Sequence, residues 1–118
     1  MTPEQINRLI AEKVMGWVET TPTDPRRLYW KGSQGPLETH PAAALIGRYF
    51  DPYHRIDHAM MALEKFVVWI VEKFASDNEY ICKVWKNARL YHRPFEGLGD
   101  TPSAAICEAI VSAMEGKE

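Results

Sequence analysis

The chain has 118 residues, enough for one modest hydrophobic core and too few for two independent ones, so a single domain over 1–118 is expected. Apolar residues make up 46% and charged residues 25%, which excludes a disordered chain. A formal charge of −2 gives no global attraction for a polyanion, so a nucleic-acid role would have to rest on a local patch.

In chain order, Thr2, Pro3 and Gln5 predict a helix start: a hydroxyl cap, a proline where no amide donor is needed, and a reciprocal capping residue. Ile6, Leu9, Ile10, Val14 and Trp17 recur at helical spacing, so the helix is expected to end near Trp17. Six prolines and glycines between residues 20 and 41 predict a long irregular loop, with a short edge strand at Leu28, Tyr29 and Trp30 and the large indole of Trp30 as its anchor. A brief helical turn is expected from Pro41 to Tyr49.

Asp51 and Pro52 read as the cap and first residue of a second helix. Ile56, Ala59, Met60, Leu63, Val67, Ile70, Val71 and Phe74 then extend a three-and-four spacing, which predicts one long helix over about 54–75. Ser76-Asp77-Asn78 is a turn, after which alternation predicts a strand from Tyr80 to Trp85 and a second from Arg89 to Arg93. A third strand is needed beside such a hairpin, and Leu28 to Trp30 is the candidate, or else an oligomer edge. Residues 94–100 read as a loop, with Gly97 and Gly99 serving turn geometry. Thr101 and Pro102 open a third helix lined by Ile106, Cys107, Ile110, Val111 and Met114, with Gly116 as its stop. The pattern predicts an α+β fold: helix, loop, helix, hairpin, helix, with the helices packed on a small antiparallel sheet.

The amino terminus lacks the basic start and apolar run of a secretory signal, and the apolar stretch Phe66 to Val71 is too short to span a bilayer. A cytoplasmic protein without membrane contact is the expectation. Cys82 and Cys107 stand alone and share the inward parity of their elements, which predicts buried free thiols rather than a disulfide or a reactive thiolate.

Two groups invite a functional reading. His54 and His58 sit four apart, a spacing that can offer two metal ligands; a third would have to come from His40, Asp57, Glu64 or His92. The plainer reading is a pair of solvated or locally bonded histidines, and no cofactor is called for. Lys83, Trp85, Lys86, Arg89, Tyr91 and Arg93 mix cations and aromatics over the expected hairpin and could contact nucleic acid by stacking and phosphate neutralisation. An ordinary solvated sheet face is the plainer reading, and a protein-binding face is the other alternative. No nucleophile elbow, phosphate loop or dinucleotide fingerprint is present. A non-enzymatic accessory protein that binds a protein partner or a second copy of itself is the first expectation, and a small nucleic-acid-binding protein the second.

Three segments carry a family resemblance. Asn7 to Trp17, ending Glu-Lys-Val-Met-Gly-Trp, and Asp100 to Ala109, with its Ala-Ile-Cys core, resemble the first and last helices of the phage ABA sandwich domain family, small proteins of phages and prophages of Gram-positive bacteria. Pro52-Tyr53 falls where that family carries a proline-tyrosine pair, although His54 and Arg55 replace its small hydroxyl residues and His58 stands at a position more often apolar. The resemblance implies helices about a small antiparallel sheet and a phage-related origin, and it transfers no catalytic residue. Trp17, Trp30, Ile106 and Cys107 read as structural residues on both grounds.

Overall fold

The computed structural model describes residues 1–20, 29–33, 37–74, 79–86 and 93–115, in two compact units, Met1–Asp51 and Pro52–Glu118. It has the α+β composition that the sequence predicts, with one two-stranded and one three-stranded antiparallel sheet.

In the first unit, α1 (Pro3–Leu9) begins with the complete capping box: Gln5 N–H donates to Thr2 Oγ1, and Gln5 Oε1 accepts from Thr2 N–H at 2.9 Å. The helical run continues through a wider π turn (Ile10–Val14) and stops at Gly16, whose φ of 71° suits a residue without Cβ. Ile6, Ile10 and Ala11 form the buried face, and Trp17 folds back edge-on against Phe50, ring centroids 4.8 Å apart. Strand β1 (Val18–Glu19) pairs with β2 (Trp30–Lys31), and Glu38 bridges Tyr29 on one side and Tyr49 on the other. The predicted turn after Pro41 is a 3-10 helix (Pro41–Ile46).

The second unit departs most from the expectation. Asp51 and Pro52 do not open a helix: α2 (Ile56–Leu63) is capped by Arg55 without a side-chain bond, while the buried Asp51 carboxylate accepts from Asn7 Nδ2 at 2.8 Å. The long helix of 54–75 is likewise corrected. A turn closes α2 through the bonds Lys65 N–H to Ala62 O and Phe66 N–H to Leu63 O, and the chain re-emerges as β3 (Val68–Phe74). Val67 to Val71 is built from β-branched residues and Trp69, which crowd a helix and suit a pleated strand, and β4 supplies seven paired positions.

Strand β4 (Glu79–Trp85) is where the alternation placed it. Its other neighbour is β5 (Phe95–Gly99), the stretch expected to be a loop; of the expected strand 89–93, only Arg93 lies within the described residues, and it belongs to no strand. The sheet order is β3-β4-β5, so the third strand comes from the supposed helix, and Trp30 pairs in the separate small sheet.

Helix α3 (Pro102–Glu115) starts at Thr101, whose Oγ1 accepts from Ala104 N–H, and it packs on β5, β4 and α2. Ile106, Cys107 and Ile110 are fully buried. No helix among the described residues is long and apolar enough to cross a membrane.

Candidate functional site: the outer face of the three-stranded sheet

The two faces of this sheet are fixed by glycine. A Cβ on Gly97 would stand 2.1 Å from Ala109 N and 2.4 Å from Ala105 O, and one on Gly99 would stand 2.7 Å from Ala105 N, so both residues face α3 at close quarters. They pair with Cys82 and Tyr80, which in turn pair with Val71 and Lys73. Residues directly opposed share a face. The α3 side therefore carries Trp69, Val71, Lys73, Tyr80, Cys82, Val84 and Phe95.

The opposite, outer face carries Val68, Ile70, Glu72, Glu79, Ile81, Lys83, Trp85, Glu96 and Leu98. Leu98 and Ile70 are 54% and 41% exposed, large values for aliphatic side chains on a sheet, and Trp85 is half-buried on the same face. One lysine stands against three glutamates, so this face is mixed apolar and acidic.

The candidate nucleic-acid residues divide across that geometry. Lys83 and Trp85 share the outer face. Lys86 turns the other way, its Nζ 5.3 Å from the centroid of Phe95, whose backbone partner Val84 faces α3. Arg93 is exposed, and Arg89 and Tyr91 lie outside the described residues.

The histidines also separate. His54 is exposed, its ring edge-on to Tyr53 at 5.2 Å, whereas His58 is buried in α2 with Nε2 4.0 Å from Asp57 Oδ2. Desolvation pushes the Asp57 carboxyl upward, but the hydrogen bond from Arg55 and the His58 and Arg55 charges outweigh it and hold the carboxyl below its usual range. No group of three or more His, Cys, Asp or Glu able to hold a metal ion occurs among the described residues, and His92 lies outside them.

In the first unit, Glu4, Asn7, Arg8, Trp30, Thr39, Tyr49 and Phe50 line a cleft of about 80 Å³. That space suits two or three waters and falls well short of a small-molecule site. Arg8 already occupies its cationic role, lying 5.4 Å from the Trp30 ring and paired with Glu12 and Glu19.

Both cysteines are fully buried, and neither forms a disulfide. Burial pushes the Cys82 thiol up to about 12. Because the folded state holds that proton more tightly than the unfolded chain, the stabilisation is present below the ordinary thiol pKa and is lost as pH rises from about 9 toward 12. Urea unfolding between pH 7 and 11 is expected to show this alkaline loss in the native protein and less of it in Cys82→Ala. Equal pH slopes for the two proteins would remove Cys82 as its source.

The sequence singles out Lys83 and Trp85 of this face, as candidates for nucleic-acid contact, and does not single out Ile70 and Leu98. Their face follows from pairing with β4, and neither strand was recognised; the β-branched run from Val67 to Val71 was the available signal.

This architecture, a helix packed on a small antiparallel sheet beside further helices, is shared with known proteins. The chain belongs to the phage ABA sandwich domain family, whose match covers residues 8–111. A crystal structure of a phage protein from Bacillus cereus has the same fold, with a TM-score of 0.61 at 21% identity over 96% of this chain and 92% of that one. No curated protein matches the sequence.

Proposed function

We propose that this phage-type domain is a non-enzymatic accessory module that binds a protein through the outer face of its three-stranded sheet. The observation that carries the reading is the exposure of Leu98 and Ile70 on one face that also presents Trp85. Aromatic and aliphatic side chains ringed by charge are what protein-binding patches use, with few residues supplying most of the affinity. The three glutamates there favour a protein partner over a phosphate backbone, which would be repelled by Glu72, Glu79 and Glu96.

The test is capture from host lysate on the immobilised full chain, with and without nuclease, against Leu98→Asp. A nuclease-resistant protein partner bound at least tenfold more weakly by Leu98→Asp supports the reading. Retention only of nucleic acid, lost steeply with salt, would overturn it and transfer the role to Lys83, Lys86 and Arg93.

A further inference from the structure

The β3 edge of the three-stranded sheet is long and regular, with Glu72 and Lys73 as its only charged residues. The other edge, β5, is five residues long, contains two glycines and lies under α3. β3 is seven residues long, pairs with β4 through all seven without a bulge, contains no proline, and has no strand on its far side among the described residues. Val67, Trp69 and Ile70 are all exposed here. Long, regular apolar edges present unpaired amide and carbonyl groups that recruit another strand, and proteins ordinarily blunt them.

The sequence of this edge is complementary to itself. A two-fold axis perpendicular to a continuous antiparallel sheet pairs residues equidistant from the axis, and every such pair lies on one face. Val71 is the middle residue of Val68–Phe74, so an axis through it uses the full strand. It sets Ile70 against the partner's Glu72 and Trp69 against the partner's Lys73, and opposes no like charges. An axis shifted one residue onward, to Glu72, would oppose two glutamates.

The Lys73 position supports the same register. Lys73 Nζ already lies 5.7 Å from the Tyr80 ring on the α3 side. The partner's Trp69 would reach that ammonium from across the ladder and complete a cation between two rings. From these features we infer that the chain forms a two-fold dimer by antiparallel pairing of β3 with the β3 of a second copy, centred on Val71, giving a continuous six-stranded sheet. This goes beyond the outer-face reading and does not depend on it: Ile70 lies on the joined edge, but Leu98 lies on β5, away from it.

The test compares the native chain with Trp69→Lys and Trp69→Glu by light scattering over a concentration series. Both variants remove the same indole, four residues from Lys73 along the strand, and differ only in the charge offered to the partner's Lys73. Twice the 13.5 kDa chain mass is expected for the native protein and Trp69→Glu. Trp69→Lys is expected to dissociate at roughly tenfold or more higher concentration, because the repulsion occurs twice in a symmetric dimer. Amide exchange in native β3 should slow as protein concentration rises, a readout that needs no variant. A native chain that stays monomeric, including one that captures only a different protein, or two variants with the same dimer affinity, would overturn the inference. Leu98→Asp should leave the dimer intact, so failure of partner binding and failure of dimerisation are read separately.

Discussion

Gly97→Ala is expected to lower the stability of the Pro52–Glu118 unit by about 3 kcal/mol, the upper part of the range for forcing extra volume into a packed interior. Local propensity argues the other way, since glycine inside a strand weakens it and alanine should help by some tenths of a kcal/mol. Space decides the sign. The new methyl would stand 2.1 Å from Ala109 N and 2.6 Å from Glu108 C, backbone atoms of α3 that cannot rotate away as a side-chain tip could. Relief requires the helix to lift from β5, against which Ala105 and Ala109 lie.

Gly16→Ala is the matched control. Nothing lies within 4 Å of its Cβ position, so only the left-handed φ of 71° opposes the change, at about 1–2 kcal/mol. Thermal unfolding followed by circular dichroism should show a fall of roughly 10–20 °C for Gly97→Ala and a smaller one for Gly16→Ala. If Gly97→Ala melts with the native protein, α3 does not cross β5 this closely and the face assignment of the sheet falls with it.

The glycines of β5 also show where the sequence stops being readable. Gly97 and Gly99 look like punctuation beside Asp100, and Phe-Glu-Gly-Leu-Gly offers few side chains on which an alternation can be seen. The reason for the glycines is a helix approaching from elsewhere in the chain, which no local pattern encodes. The ends of α1 and α3 were legible for the opposite reason. Thr2 with Gln5, and Thr101 with Ala104, satisfy amide donors within three residues, so both chemistry and partner are local.

The stretch from Ile56 to Phe74 lies between these cases. Ile56, Ala59, Met60 and Leu63 have helical spacing and are helical; Val67, Ile70, Val71 and Phe74 keep that spacing by coincidence inside an almost wholly apolar run. Periodicity cannot separate helix from strand in such a run, whereas β-branching and the nearby partner Glu79–Trp85 can. The candidate site inherited the same division. Lys83 and Trp85 belong to the strand that alternation marks, while Ile70 and Leu98 belong to the two it does not, and a face shared by three strands is visible only once their register is known.

Trp30→Ala is expected to cost the Met1–Asp51 unit about 3–5 kcal/mol, the usual range for truncating a buried tryptophan. The indole is 3% exposed, and its backbone is held on both sides: β2 pairs Trp30 with Glu19, and Trp30 N–H donates to Leu37 O at 2.8 Å. Arg8 stacks on the ring while pairing with Glu12 and Glu19, so the side chain also ties α1 to β1. Two contributions can be separated. Arg8→Ala removes a half-exposed cation and is expected to cost about 1 kcal/mol or less, since exposed ion pairs and cation–π contacts are weak. Trp30→Phe keeps a ring beneath Arg8 and should fall between the two. Urea midpoints should rank Arg8→Ala, Trp30→Phe and Trp30→Ala in order of increasing loss, with amide exchange quickening first at Thr20, whose N–H donates to Tyr29 O. If Arg8→Ala matched Trp30→Ala, the cation and not the buried indole area would be what holds this loop, and the anchor assigned to Trp30 from its size alone would be wrong.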